Sequence, residues 1–514
     1  MQLGFVIDQS RCIGCHACTV ACKSENAVPV GNFRTWVKYT EKGVFPQVKR
    51  SFSVLRCNQC TDAPCVEICP VAALAKREDG IVDIDPGRCI GCKSCTHACP
   101  YDAIYLNEST GIVEKCHFCA HRVERGLAPA CAVACPTEAI IPGDFHDPES
   151  RVSHLAKLHT LTARRVEVGT GPNVLYREAA PAGLDPARAN AAGGLIWSGT
   201  PDNSRIRSQA FEASLQAPEA RTVYDVPRSQ TWGRGITAYL FFKSIAAGVF
   251  GVGGLALLSS GSSLTATSQH LAVLSLFFLL ATTAFLIGDL KRPERFWFLL
   301  AKPNWSSWLV RGTLFLMAYG GLLSIWAAWP WLDSVLPSAV GAPLIVLTSV
   351  IAALVAAYTG WLFGQAKGRA LWMNSGLWFH LIIQAALAGA ATLVVGEAFW
   401  PGLMGPAAAP DVRLALAASL VLHATWLAVE HKLAPEGREG EYARAHRLLT
   451  RGPFAREHWV WGVGLGILVP MLCLAISDGA AAPVLGVVAG SCALVGLWIE
   501  EDLFVRAGQA LPIS

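Results

Sequence analysis

Charge is scarce in this chain of 514 residues: only 16% are Asp, Glu, Lys or Arg. From about residue 236 onward the charges retreat into short connections between apolar runs. No stretch combines clustered basic residues with interleaved aromatics, which argues against a nucleic-acid partner. The opening residues MQLGFVIDQS lack the basic-then-apolar pattern of an export signal, so an oxidising compartment and disulfides are not expected. Cysteine is almost missing beyond residue 135. Of eighteen, only Cys473 and Cys492 lie there, single thiols in apolar runs that read as packing residues.

The other sixteen fall into four groups of four. The first is CIGCHACTVAC (Cys12, Cys15, Cys18, Cys22) and the second CNQCTDAPCVEICP (Cys57, Cys60, Cys65, Cys69). The third is CIGCKSCTHACP (Cys89, Cys92, Cys95, Cys99), and the fourth runs from Cys116 and Cys119 to Cys131 and Cys135. The first and third carry the C-x2-C-x2-C-x3-C run of bacterial ferredoxins, whose fourth thiolate ligates a different cluster from the first three. The other two are the same run with residues inserted. Motifs must therefore work in pairs, the sequence order looks like motif one facing four and two facing three, and sixteen thiolates suffice for four [4Fe-4S] clusters. Zinc also uses C-x2-C pairs, but rarely this triple-plus-one spacing. Short strand-like pieces such as VLRC and IVDIDP beside the cysteines point to an α+β fold in which metal ligation replaces part of an apolar core.

These motifs, with KCHFCAHR, PACAVACPTEAI and GTGPNVLY, resemble the electron-transfer subunit of dimethyl sulfoxide reductase-type molybdoenzymes over about residues 3–178. The resemblance implies two nested ferredoxin modules and a definite pairing of ligands. One cluster would be held by Cys12, Cys15, Cys18 and Cys135, another by Cys22, Cys116, Cys119 and Cys131. A third would take Cys57, Cys60, Cys65 and Cys99, and the fourth, nearest the membrane, Cys69, Cys89, Cys92 and Cys95. Some relatives replace a ligand of the third motif and hold three irons; Cys92 is present here, which favours four. The resemblance also implies a separate molybdenum-bis-pterin catalytic subunit, with molybdopterin only in that partner.

Residues 143 to about 232 are rich in Ala, Pro, Arg and Ser without a sustained period. They read as a connecting segment, with 1–178 as the cluster domain, 179–232 as linker and 233–514 as membrane domain. Ninety residues is long for a plain tether, so part of it is expected to pack on the cluster domain or the membrane surface. Eight apolar segments follow, near 236–259, 270–288, 308–329, 343–363, 375–395, 411–430, 459–477 and 482–499. Each approaches the ~20 residues needed to cross a bilayer core. Connections 260–269, 330–342, 396–410 and 478–481 have no Lys or Arg, while the alternate ones are basic. The positive-inside bias then puts the cluster domain and both termini in the cytoplasm, at a bacterial inner membrane.

KSIAAG, DLKRPERFWFLLAKPNWSSW, AAYTGW and QAALAGAA are similar to the polysulfide reductase membrane-anchor family, over about residues 230–514. That resemblance implies an eight-helix quinone-binding subunit without haem. AKPNWSSWLVRG and LTRGPFAREHWVWG form a weak repeat that would fit two four-helix halves. Intramembrane polar residues default to functional hypotheses. Lys243, Asp289 and Tyr358 fall toward the cytoplasmic ends of the first, second and fourth spans and are the candidate quinone site. Their bland readings are a snorkelling lysine, an interfacial ion pair and a belt aromatic. Arg311 reads as a positive-inside anchor. His380 and His423 are the only histidine pair placed to ligate haem, and satisfied polar contacts are the simpler reading.

Together these features describe an electron-transfer and anchor subunit of an oxidoreductase. It would relay electrons between the catalytic partner and menaquinone or ubiquinone in the lipid, with no haem and no nucleic acid involved. The rival is a redox-driven proton pump using Glu397, Glu430 and His423.

Overall fold

The computed structural model describes residues 1–197, 207–208, 210–212, 219–228, 230–261, 265–332, 338–405, 407–477 and 482–514. Parts of the four connections without Lys or Arg, at 262–264, 333–337, 406 and 478–481, lie outside the described residues. The first half is α+β. Strands β1 (Leu3–Asp8), β8 (Ile140–Asp144), β9 (Thr162–Ala163) and β10 (Val174–Arg177) form a sheet in the order β8-β1-β10-β9, with β1 parallel to β10. The second and third cysteine motifs each run through a short helix, Pro64–Ile68 or Ser94–Ala98, into a two-stranded ladder. These ladders are β4 (Leu74–Lys76) with β5 (Val82–Ile84), and β6 (Ile104–Asn107) with β7 (Ile112–Lys115). Gly14 and Gly91 take φ of +71° and +69°, the left-handed turn that winds CIGC back on itself and that a side chain would strain.

A second sheet, β11-β12-β2-β3, shows what becomes of the expected linker. The hairpin of β2 (Thr35–Val44) and β3 (Gln47–Arg56) is extended by β12 (Ala220–Asp225), and β12 pairs in parallel with β11 (Ala189–Trp197). Within 179–232 the described residues thus build sheet on the cluster domain rather than a plain tether. Arg221 lies opposite Glu41 in the ladder and bonds it at 2.7 Å, and buried Lys38 faces Asp225 at 3.9 Å. Such pairing joins residues some 180 apart, which local sequence patterning does not report.

Eight helices among the described residues are long and apolar enough to cross a membrane. They are Arg234–Ser260, Thr267–Gly288, Trp308–Ala327, Gly341–Gly364, Leu377–Phe399, Ala409–Lys432, Glu457–Ala475 and Ala482–Ala510, here the first to eighth spans. The eighth continues well past the expected end at residue 499. Its last turns carry Glu500, Glu501 and Asp502, which end a hydropathy window although both glutamates are buried against other spans. The seventh is π-wound over Glu457–Leu468 and returns to α over Val469–Ala475, with Pro470, which has no amide hydrogen to donate, just after the change.

Spans one to four pack as one bundle and five to eight as another, with the first span lying on the fifth. That matches the two halves suggested by the weak repeat. At the crossing, Gly248 meets Gly389 so closely that an added Cβ on Gly389 would stand 2.0 Å from the Gly248 carbonyl carbon. Small residues permit such backbone contact between spanning helices. Gly389→Val should therefore cost more than the ~1–3 kcal/mol of ordinary overpacking, because the obstruction is backbone. Thermal unfolding of the detergent-purified chain should fall by several degrees, or the chain should fail to accumulate. Gly321→Ala, where the added methyl meets nothing within 4 Å, should leave it unchanged.

Candidate functional site

The turns and short helices of the four motifs bring their thiols together across motifs. Cys12 feels the charge of Cys15 and Cys135, and Cys22 that of Cys116, Cys119 and Cys131. Cys60 lies among Cys57, Cys65 and Cys99, and Cys95 among Cys92, Cys69 and Cys89. Cys18 also senses Cys131, and Cys95 senses Cys65, so neighbouring groups adjoin. None of these cysteines is in a disulfide.

The surroundings fit a buried anionic metal cluster. Arg56 is fully buried, donates from Nη1 to Cys131 Sγ at 3.2 Å, and leaves Nε and Nη2 without hydrogen-bond partners among the described residues. Lys115 is buried beside Cys57, Cys65 and Cys116. A buried cation with spare donors requires negative charge nearby. The Ala73 and Ala139 amides donate to Cys69 and Cys135 Sγ, each at 3.2 Å, and Asn26 reaches Cys22 and Cys119. Burial pushes the Cys18 thiol up to about 11 and the Cys92 thiol up to about 12, and coordination to a metal would supply the drive to ionise them.

The Cys69–Cys99 end faces the membrane domain through its backbone. Backbone carbonyls there accept hydrogen bonds from membrane-domain groups and from Trp232 just before the first span. Ser307 Oγ reaches Ile68 O at 2.8 Å, Asn304 Nδ2 reaches Cys69 O at 2.8 Å, and the Asn304 amide reaches Pro70 O at 2.9 Å. Arg295 Nη1 donates to Cys89 O at 2.9 Å, and the Arg292 and Lys291 amides to Ile90 O and Gly91 O. Trp232 Nε1 serves Cys92 O at 3.3 Å and the Gly368 amide serves His97 O at 3.0 Å. Leu290, Leu299, Leu309 and Leu362 pack in the same apolar cluster as these cysteines. The basic connections are thus on the cluster-bearing side.

The three candidate quinone residues are not all together. Lys243 is fully buried; its Nζ donates to Ala356 O at 2.9 Å and Thr359 Oγ1 at 2.7 Å, and lies 5.3 Å from the Tyr358 ring centroid. It is thus held within the bundle, not snorkelling. Tyr358 hydrogen-bonds Tyr239, whose hydroxyl lies 3.2 Å from Thr359 Oγ1. Asp289 stands apart, ion-paired at 2.8 Å with Lys93, between Cys92 and Cys95. A Cβ on Gly235 would lie 3.2 Å from its Oδ1, so Asp289 is at the level of Gly235, about 12 Å along the helix from Lys243. Burial pushes the Asp289 carboxyl up and Lys93 opposes that shift. The sequence could not supply its partner, which comes from the other domain.

A second polar group escaped the sequence reading because half of it lies past the expected end of the last span. His423 Nε2 meets Glu500 Oε2 at 2.6 Å, His423 Nδ1 meets His380 Nε2 at 3.1 Å, and Gln384 donates to Glu500 Oε1 at 3.2 Å. His423 thus contacts both His380 and the Glu500 carboxylate. Glu501 faces the other bundle, where Ser244 Oγ donates to it at 3.3 Å and the Lys243 charge is felt. Glu500 and Glu501 line a cavity of about 30 Å3 with His458, which has room for water. Of the residues of the pumping alternative, Glu430 lines the same cavity as Glu500, to which His423 is bonded, while Glu397 stands apart. Glu397 accepts the loop amides of Gly402 and Met404, Glu430 pairs with His446 at 3.5 Å, and His423 is bound as above. Arg311 donates to Trp305 O and lies over the Trp308 ring.

Comparison with known proteins agrees with this anatomy. Residues 3–24 match the 4Fe-4S binding domain and residues 48–145 the 4Fe-4S dicluster domain. Residues 222–512 match Polysulphide reductase, NrfD. A tetrathionate reductase subunit of Salmonella typhimurium is 43% identical over 190 residues, covering 36% of this chain and 74% of that protein. The arsenate respiratory reductase iron-sulfur subunit ArrB of a Shewanella species is 38% identical, over 34% of this chain and 96% of its own length. The protein NrfC of Escherichia coli is 40% identical, over 34% and 80%. The chain therefore belongs to the polysulphide reductase NrfD family of multi-pass membrane proteins, fused behind a 4Fe-4S domain similar to reductase iron-sulfur subunits.

Proposed function

We propose that this chain is the electron-transfer and membrane-anchor subunit of a molybdoenzyme complex, relaying electrons between a separate molybdenum-bis-pterin subunit and the quinone pool. The observation that supports it most is the joint of backbone carbonyls at the Cys69–Cys99 end, which sets the last cysteine group against the membrane domain. Four [4Fe-4S] clusters, ligated in the pairing given above, supply one-electron steps. The chain's own residues bury them, neutralise their charge with Arg56 and Lys115, and donate amide hydrogens to the sulfurs. Iron and acid-labile sulfide should each approach sixteen per chain. Cys95→Ala should lower both by about a quarter, and stoichiometric zinc in their place would refute the assignment.

Reduction of quinone to quinol takes two electrons and two protons. In this reading Lys243, hydrogen-bonded to Thr359 and adjoining Tyr358 and Tyr239, steadies the developing negative charge on the quinone oxygen. Glu501, beside Ser244 and close enough for Lys243 to feel its charge, is the carboxyl that would deliver the two protons in turn to the two quinone oxygens, each being replaced from the aqueous side. Asp289 instead orients the cluster domain through Lys93. Lys243→Met should suppress quinone-coupled turnover of the assembled complex at least tenfold while artificial-dye activity and iron content persist. Asp289→Ala should weaken retention of the joint, read as faster proteolysis between the domains, with a smaller effect on the quinone reaction. Equal quinone kinetics in wild type and Lys243→Met would remove the site from Lys243.

The orientation proposed is cytoplasmic for the cluster domain and both termini, in a bacterial inner membrane, on the strength of the basic connections. That placement suits a catalytic partner oxidising a cytoplasmic donor such as sulfite or formate. Periplasm-dependent reporters inserted near Ser263 or Pro406 should be active and one near Gly437 silent, and the reverse pattern would invert the topology.

A further inference from the structure

The sixth and seventh spans touch each other sparingly, although each packs on another helix of its bundle. Between them, under the amphipathic helix Glu439–Thr450, opens a cleft of about 820 Å3. Its deep wall is apolar, with Ala424, Val463, Ile467 and Met471. Its mouth, on the cluster-bearing side, is basic, with His431, His446, Arg447 and Arg451. His446 has Glu430 as a neighbour at 3.5 Å. The two arginines have no carboxylate partner among the described residues, and Arg447, which lines this cleft and the neighbouring one beside Arg444, has its Nε buried without a hydrogen-bond partner. A buried guanidinium donor without an acceptor is costly. Nearby arginines in this chain are neutralised within the protein: Arg438 by Glu441 at 2.7 Å, and Arg444 by Glu212 at 2.7 Å.

We infer that this cleft holds one anionic phospholipid of the adjacent leaflet, with its phosphate on Arg447 and Arg451 and an acyl chain against Val463, Ile467 and Met471. The charge complementarity is specific to the mouth. A zwitterionic phospholipid would bring an ammonium into a mouth that already holds two arginines and two histidines, a lipid without phosphate would leave Arg447 unpaired, and a free phosphate would leave the apolar wall empty. From Trp459 to Met471 the wall descends at most about 18 Å, the length of a phospholipid tail rather than of a head group alone. Basic pockets between spanning helices bind anionic head groups in this manner. The lipid would also close the side of the second bundle, because Leu427 and His458 line both this cleft and the cavity at Glu500.

The test is mass spectrometry and phosphorus assay of lipid retained by the full chain after extensive detergent washing. Wild type should keep about one phosphatidylglycerol or cardiolipin per chain, and R447Q/R451Q should lose it, with iron content and cluster absorbance unchanged. Val463→Trp, which fills the tail groove and keeps both charges, should lose it too. Added phosphatidylglycerol should raise the unfolding temperature of washed wild type by several degrees and leave both variants unmoved; added inorganic phosphate should do nothing. Retention of neutral lipid in equal amount, retention of quinone in its place, or undiminished anionic lipid in R447Q/R451Q would each overturn the inference.

Discussion

A buried peptide carbonyl must find a donor, and in this protein that rule joins the two halves. The turns that wrap cysteines around metal leave little chance of pairing with neighbouring strands, so the carbonyls of Ile68, Cys69, Pro70, Cys89, Ile90, Gly91, Cys92 and His97 point outward. The membrane connections answer with the side chains of Ser307, Asn304 and Arg295 and with four loop amides, and Trp232, just before the first span, supplies another donor. Each bond is worth only ~1 kcal/mol net, but leaving a buried acceptor unmet would cost more than the bond contributes. The basic character of these connections thus has two physical roots. Arg292 and Arg295 meet the topological bias at the membrane surface, and they also supply donors to a surface composed of backbone oxygen.

Buried charge follows a parallel rule. Arg56 and Lys115 would be expensive among apolar groups, yet they sit deep among thiols. In the membrane half Lys243 is met by Ala356 O and Thr359, and Glu500 by His423 and Gln384. Glu501 and Glu500, adjacent on one helix, border one cavity but take partners from different bundles, Ser244 for one and Gln384 and His423 for the other.

What was legible in the sequence was what chemistry encodes locally. Metal-ligand spacing revealed the cysteine groups, and runs of apolar residues revealed the eight spans. Partnerships across long separations were not legible. Nothing near residues 220–225 announces that they will lie beside β2, and nothing near Asp289 announces Lys93. Glu500 and Glu501 were hidden for another reason: charge at the end of an apolar run reads as a boundary, whereas here the helix continues and buries it. The histidine pair was visible as residues, but its carboxylate lay beyond that supposed boundary.

The contact of Gly248 with Gly389 also limits how the membrane half can move. Where two backbones touch without side chains between them, there is no compliant layer to shear and no gap to compress. The two four-helix halves are therefore held at backbone distance at their centre, with no side chain there to absorb a change in spacing. A β-carbon on either glycine would have to push two backbones apart, so the seam between the halves is set by what those two positions lack.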